Sequence, residues 1–569
     1  PQAAQIEAGR LRLDLDPAAL SLDLRDARSP LVLDGITPRV DAVAQTGGAL
    51  AIGPHRMLSV GELKGRAGPV LRLEVQAVGR GFLGVRWTLE VAGSGSGVSC
   101  TLAVENRTGE RLLLRSLAPL ARGSKAPERL TGNAPSLPVH VLQGTGAPLA
   151  LGFTTELRHR TSLRITSDAS PPSFSLENEI AERNLEPGES VESERAWLAL
   201  GTDEASLLAE WARLAGLEMD ARVPGRAVVI REVPRHSIRQ VVQELRQFGD
   251  PVVIEPEGGD TGALQEFAIE ARAGGAIPGV TLGDGTLRPQ RAAHSEALRA
   301  KGFEHVAGRA KETTLASVGL IDTLRLEGAR GAPGVASALD LAFSGQRLWR
   351  LDPGPILLQS GLPPSQEERT RFCVFALAGG ALRVTGDPRE LDAVRAGWLR
   401  LATPGLARPA LALPIAGGRA LVVSLIGGRL AVLLVNESNE TRSLGTPFDR
   451  LGVAGPHHVF DFWAERALGV QEEIAPDFLA PGGSRLLALT PLAPRPQLIG
   501  SSLHLGMGCL EASGLRARED GALGLTLRLP GRRSGALWIA FPNKAFVRRI
   551  PVSFEDTLSL MVPGVETGG

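Results

Sequence analysis

A chain of 569 residues is long enough for two to four domains at roughly 100–200 residues each. Its 62 basic residues balance its 62 acidic ones, which excludes a global field that would draw nucleic acid or an anionic membrane to it. No stretch approaches the roughly 18 consecutive apolar residues of a membrane span, so a soluble protein is expected.

Cys100, Cys373 and Cys509 lie far apart and form no Cys-x-x-Cys pair. That spacing argues against a zinc site and a disulfide framework, and for buried free thiols with no metal or other cofactor. The chain opens at Pro1 without a basic-then-apolar leader, so a targeting segment is expected to be absent or already removed, and either a cytoplasmic or an exported protein fits. Tyrosine is absent although there are 16 Phe and 7 Trp. A sugar cleft here would lack the amphipathic ring that usually lines one.

Residues 1–222 alternate in short runs such as "RLRLDLD" (10–16), "VLRLEVQAV" (70–78) and "VRWTLEV" (85–91). Period two marks half-buried antiparallel strands and predicts an N-terminal β-sandwich. The period changes at 203–219, where Leu207, Leu208, Trp211, Leu214, Ala215 and Met219 recur at three and four, the stripe of an amphipathic linking helix.

From 223 to 404, β-type runs alternate with helical ones. They begin near 227 ("AVVIREV"), 251 ("PVVIEP"), 276 ("AIPGVTL"), 302 ("GFEHVAG"), 320 ("LIDTLRL"), 355 ("PILLQSG") and 381 ("ALRVTGD"). In the segment 236–248, Ser237 stands ready to cap a helix whose buried stripe is Ile238, Val241, Val242 and Leu245. Such βα units imply a (β/α) TIM-type barrel, but the runs number seven where eight are needed, and the region is short of the ~250 residues of a full one. The barrel is therefore expected to lack about one βα unit after the fourth strand. That gap would leave an open sheet edge before "LIDTLRL", to be covered by the N-terminal module, by a second copy of the chain or by a protein partner. Residues 405–569 return to alternation, with "GG" between apolar runs in "ALVVSLIGGRLAVLLVNES" (420–438) as a hairpin signal, and predict a C-terminal β-sandwich. The fold class is thus multidomain α/β plus all-β.

Three stretches in this order resemble the melibiase-type α-galactosidases, glycoside hydrolase family 36. "GLIDTLRLEGARG" (319–331) is similar to their sixth-strand segment. "GQRLWRLDPGPILLQSG" (345–361), with "FALAGGALRVTGD" (375–387), resembles the segment closing their barrel. "HHVFDFWAERALGV" (457–470), ahead of "PGGSRLLALTP" (481–491), is similar to their C-terminal module. The resemblance implies retaining glycoside hydrolysis, which needs two carboxyl groups ~5–5.5 Å apart. Aligning Gly302-Phe303 with the family pattern, however, puts Arg309 at the nucleophile position, and aligning Asp322 and Arg325 with the sixth-strand pattern puts Ala329 at that of the acid/base. Neither side chain can do the chemistry.

The residues expected at the barrel mouth are Glu255, Glu257, His305, Arg309, Glu327, Trp349 and Asp352. Glu255, Glu257 and Glu327 are the fallback carboxylates, or else loop groups paired with arginines such as Arg309 and Arg330. His305 is either a base tuned near neutrality or a strand histidine satisfied by a backbone carbonyl. Trp349 either stacks on a sugar or packs beside the Asp352-Pro353 turn. Two functions follow: a pseudoenzyme that binds carbohydrate or serves in structure and assembly, its former site closed by its own salt bridges or by a partner, with Arg309 paired to one of these glutamates, or an active retaining α-glycosidase with relocated carboxylates.

Overall fold

Period-two runs become strands wherever the sequence alternates. The computed structural model describes residues 4–8, 11–27, 32–46, 50, 53–66, 68–79, 81–92, 97–123, 137–142, 148–166, 172–201, 203–222, 228–233, 237–246, 250–256, 264–281, 288–301, 303–309, 315–326, 334–353, 355–356, 363–384, 391–542 and 546–564. "RLRLDLD" forms the strand Leu11–Asp16, with its leucines buried and Arg12 and Asp16 exposed. Among the described residues, the first 200 build two antiparallel sheets, of seven and eight strands. A buried hydrogen bond links them, from the Trp87 indole to the Pro119 carbonyl at 3.0 Å. The helix Glu204–Glu218 follows, its first turn capped by the Asp203 carboxylate accepting from the Ser206 amide. Leu207, Trp211, Ala215 and Met219 are buried as the stripe predicts, whereas Leu208 and Leu214 are half-buried.

Among the described residues, the strands of the barrel region run parallel. In chain order the first five are Val228–Val233, Val252–Pro256, Ile277–Thr281, His305–Arg309 and Thr323–Arg325, each paired with the next. The sixth begins earlier than the sequence implies. Arg350–Asp352 pairs with the fifth strand, while Pro355–Ile356, a little further on, pairs with the seventh, Ala381–Val384. Pro353, which has no N–H to donate, follows the first of these strands, where the pairing passes from the fifth strand to the seventh. The seventh strand pairs back with the first, so the sheet comes round nearly to closure with seven strands, and Leu351 makes a further bridge to Gly380.

The open edge expected after the fourth strand is not there. His305–Arg309 pairs directly with Thr323–Arg325, Ala307 opposite Thr323 and Arg309 opposite Arg325. Asp322 joins the two strands at their base. Its amide donates to the Val306 carbonyl at 2.7 Å, and its carboxylate accepts from the Val306 amide at 2.8 Å and from Arg299 at 2.9 Å. The strands on either side of the short gap therefore pair with each other, and no partner is required to cover an edge at that point.

Helices separate several of these strands. Ile238–Arg246 buries Ile238, Val241, Val242 and Leu245, the predicted stripe. Towards the C-terminus come sheets of six, two and four strands. The "GG" hairpin forms as expected, Gly418–Ser424 against Leu430–Val435, with Gly427 and Gly428 both at φ 75°, a conformation strained for other residues. Val432, Leu434, Leu487 and Leu489 of the six-stranded sheet pack into one core, while Leu525, Leu527, Leu537 and Ile539 centre that of the four-stranded sheet.

The chain divides into two compact units. One is Pro1–Arg222 with Gly283–His294 and Ala310–Leu320; the other is Val223–Leu282, Ser295–Arg309 and Ile321–Gly569. Cys100 and Cys373 are buried free thiols, and Cys509 is free and half-buried. Among the described residues no helix is long and apolar enough to cross a membrane.

Candidate functional site

The lower part of the barrel is apolar. Val228, Ile230, Val253 and Ala381 form one buried cluster with Ile277 packed against it. Side chains two residues further along a strand return to the same face, so Glu255 stands above Val253 and Arg383 above Ala381. This next layer, toward the C-terminal ends of the strands where barrel enzymes place their chemistry, is ionic.

Glu255 and Asp352 are 2 % and 0 % exposed, and Arg383 is 4 % exposed. Arg383 Nη1 lies 3.1 Å from Glu255 Oε2, and its Nη2 lies 2.8 Å from Asp352 Oδ2. Arg325 bonds Glu255 Oε2 from the other side, with its Nε 3.7 Å from Asp352 Oδ2. Two carboxylates and two guanidiniums thus compensate one another out of water. Gly279 makes room for them: a Cβ there would stand 2.5 Å from Val253 Cγ1 and 3.2 Å from Glu255 Cγ.

Burial would push the Glu255 carboxyl up, but Arg383 and Arg325, with His305, outweigh it and hold the group below its usual range. A carboxyl so held stays ionised near neutrality and cannot act as an acid. Burial dominates for His305, whose imidazole falls to about 4 against the opposing pull of Asp322 and Glu255. Nearer the base, burial lifts Asp250 to about 6, although the Gly405 amide and Arg350 oppose it. Arg350 is lowered to about 10 by burial, against Asp322 and Asp250.

The structure brings together three of the residues expected at the mouth: Glu255, His305 and Asp352. His305 is a buried strand histidine, but its Nε2 has no hydrogen-bond partner among the described residues, where a backbone carbonyl was the expected partner. Trp349 is 0 % exposed, and its indole donates to Ser344 Oγ at 3.2 Å. Glu304 precedes the fourth strand and pairs with Arg272 at 2.8 Å on the surface. Glu257, Glu327, Ala329 and Arg330 lie outside the described residues, as does the side chain of Arg309, so its expected pairing has no counterpart to report. The cations actually found on Glu255 are Arg325 and Arg383, which sequence reasoning passed over as site residues. A signal was present: each is a single charge inside a buried apolar β run, "TLRL" and "ALRV", and buried charges need partners.

A nearly closed parallel barrel-like sheet followed by antiparallel sheets, in a chain that begins with two more, defines an α-galactosidase-like fold. The solved GH36 α-galactosidase AgaA from Geobacillus stearothermophilus matches 86 % of this chain and 100 % of its own at 12 % identity and a TM-score of 0.54. GH36 α-galactosidase AgaB from the same organism matches with the same coverage at 11 % identity and a TM-score of 0.56. No family model and no curated protein matches the chain.

Proposed function

We propose that this chain is a catalytically degenerate α-galactosidase-like scaffold, which binds carbohydrate or serves in structure and assembly and does not hydrolyse glycosides. The observation that carries the reading is the Glu255–Arg325–Asp352–Arg383 layer. Retaining hydrolysis needs one carboxyl free to attack an anomeric carbon and another able to give up a proton. Glu255 and Asp352 stand at the level where such groups would act, yet both are buried and bound to guanidinium. Replacement of the family's two carboxylate positions by Arg309 and Ala329 in the sequence supports the same reading.

The experiment is hydrolysis of aryl α-galactosides by the purified chain, alone and as Glu327→Gln. Release at the buffer rate is expected for both proteins. Turnover by the parent chain that disappears in Glu327→Gln would instead establish the active glycosidase with Glu327 and one of Glu255 or Glu257 as its carboxylates.

A further inference from the structure

A wide, charged groove lies far from the barrel layer in sequence, within the N-terminal sheets. Its volume is about 1140 Å³, and it runs over four neighbouring strands, Val32–Ala44, Leu112–Arg122, Ser173–Leu185 and Arg160–Thr166. Register sets a polar row across all four: Asp41 opposite Ser116, Ser116 opposite Glu179, and Glu179 opposite Arg160. A second line places Arg164 opposite Ser175. Register shifts interrupt the pairing between Asp41 and Ala42, and again between Leu176 and Asn178 and between Glu179 and Arg183. Such bulges bend and twist a sheet, which accounts for a hollow where a flat face would otherwise stand.

Six arginines line the groove, Arg39, Arg115, Arg158, Arg160, Arg164 and Arg183, against three carboxylates, Asp41, Glu177 and Glu179. Six minus three leaves a net charge of +3 in the lining itself, while Glu182, Glu189 and Glu192 stand outside the lining as partners of Arg115, Arg183 and Arg158. The guanidiniums are within reach of solvent: the side chains of Arg160, Arg115 and Arg183 are 63 %, 49 % and 46 % exposed. Arg160 stands 3.9 Å from Glu179 and Arg115 4.0 Å from Glu182, long exposed pairs weak enough for a better-fitting anion to displace. Arg183 is held more closely, 2.7 Å from Glu189. Arg164 Nε lies 3.2 Å from Glu177 but makes no hydrogen bond among the described residues. Beneath them the floor is rigid, since Asn178, fully buried, donates to the Leu117 carbonyl and accepts from the Glu194 amide.

We propose that this groove binds an acidic oligosaccharide, with the guanidinium forks taking uronate carboxylates and Asp41, Glu177, Glu179 and Ser116 accepting sugar hydroxyls. Choosing a saccharide rests on the carbohydrate-binding reading above; the anionic character rests on the groove. Guanidinium matches carboxylate bidentately, and an interleaved carboxylate accepts from the hydroxyls that a uronate sugar carries beside its charge. Single-stranded nucleic acid is disfavoured because, among the described residues, no Phe or Trp lines the groove to stack a base. An acidic peptide has few hydroxyls for these acceptors, and the floor is a sheet face whose backbone is already paired. Arg160 and Arg164 lie four residues apart on one strand, about 13 Å, farther than one sugar ring reaches, so the ligand is an oligomer.

The test is titration of the full chain with tetragalacturonate, with galactotetraose, a single-stranded oligonucleotide and a polyglutamate peptide as comparisons. Saturable binding of tetragalacturonate, weakened by salt and at least roughly tenfold weaker in Arg160→Ala/Arg164→Ala at an unchanged melting temperature, is the expected result. A double variant that melts lower is replaced by Arg160→Gln, for which at least roughly threefold weakening is expected. The proposal is overturned by absence of saturable binding, by affinity unchanged in the folded variant, or by equal binding of the oligonucleotide or the peptide. Binding of galactotetraose alone would sink the groove assignment and leave the carbohydrate-binding reading standing, whereas aryl galactoside turnover would sink the non-hydrolytic reading and leave the groove result untouched.

Discussion

Within the barrel, His305 shows how burial converts a side chain into a pH response. Its imidazole stays neutral in the fold down to about pH 4, facing Asp322, Glu255, Arg350 and Arg383, whereas in the unfolded chain it is protonated below about 6.5. Between these values the unfolded state binds the extra proton, so stability is lost as pH falls and regained as it rises. Between pH 6.5 and 5 this amounts to about 2 kcal/mol at 1.36 kcal/mol per pH unit. Urea unfolding at those two pH values is expected to show His305→Gln losing about 2 kcal/mol less than the parent chain; an equal loss would mean that the imidazole is not held neutral. The sequence placed His305 in a strand and Glu255 near a strand end, because alternation and position suffice for that. It did not pair Glu255 with Arg325 and Arg383, because those arginines are 70 and 128 positions away in the chain and only barrel closure brings them to it.

Among the elements, the junction between the fourth and fifth barrel strands carries the clearest energetic consequence. Asp322 is 7 % exposed and holds the Val306 amide and Arg299 at once. Asp322→Ala leaves both donors without that acceptor, at an expected cost of about 2–4 kcal/mol. Glu304→Ala breaks an exposed pair with Arg272 and is expected to cost under about 1 kcal/mol. Chemical denaturation of the two variants side by side measures the contrast, and equal costs would remove Asp322 from this role. Strand count was readable here from seven apolar runs, but the fate of the missing unit was not. Local pattern reports that a segment is short; whether its neighbours separate or join depends on the ladder they can form, which is a long-range property.

At the scale of the molecule, the first compact unit draws segments 283–294 and 310–320 from the barrel's stretch of sequence. Glu156, 7 % exposed, accepts from the Ala316 amide at 2.9 Å within that unit. A fragment of residues 1–222 is therefore expected to be cleaved by protease at lower urea than the same residues in the intact chain, and equal resistance would show that these segments add nothing. Local pattern alone determined the all-β character of both ends from alternation, the seven strands between them from their apolar runs and the helix stripes from recurrence at three and four, because side-chain period is a local consequence of backbone geometry and burial. Tertiary structure alone decided that the sheet continues without an edge after its fourth strand, that Glu255 and Asp352 are neutralised by Arg325 and Arg383, and that six scattered arginines line one groove. Each of these depends on strands distant in sequence being set in register, and in a low-dielectric interior it is that register which determines which charges meet.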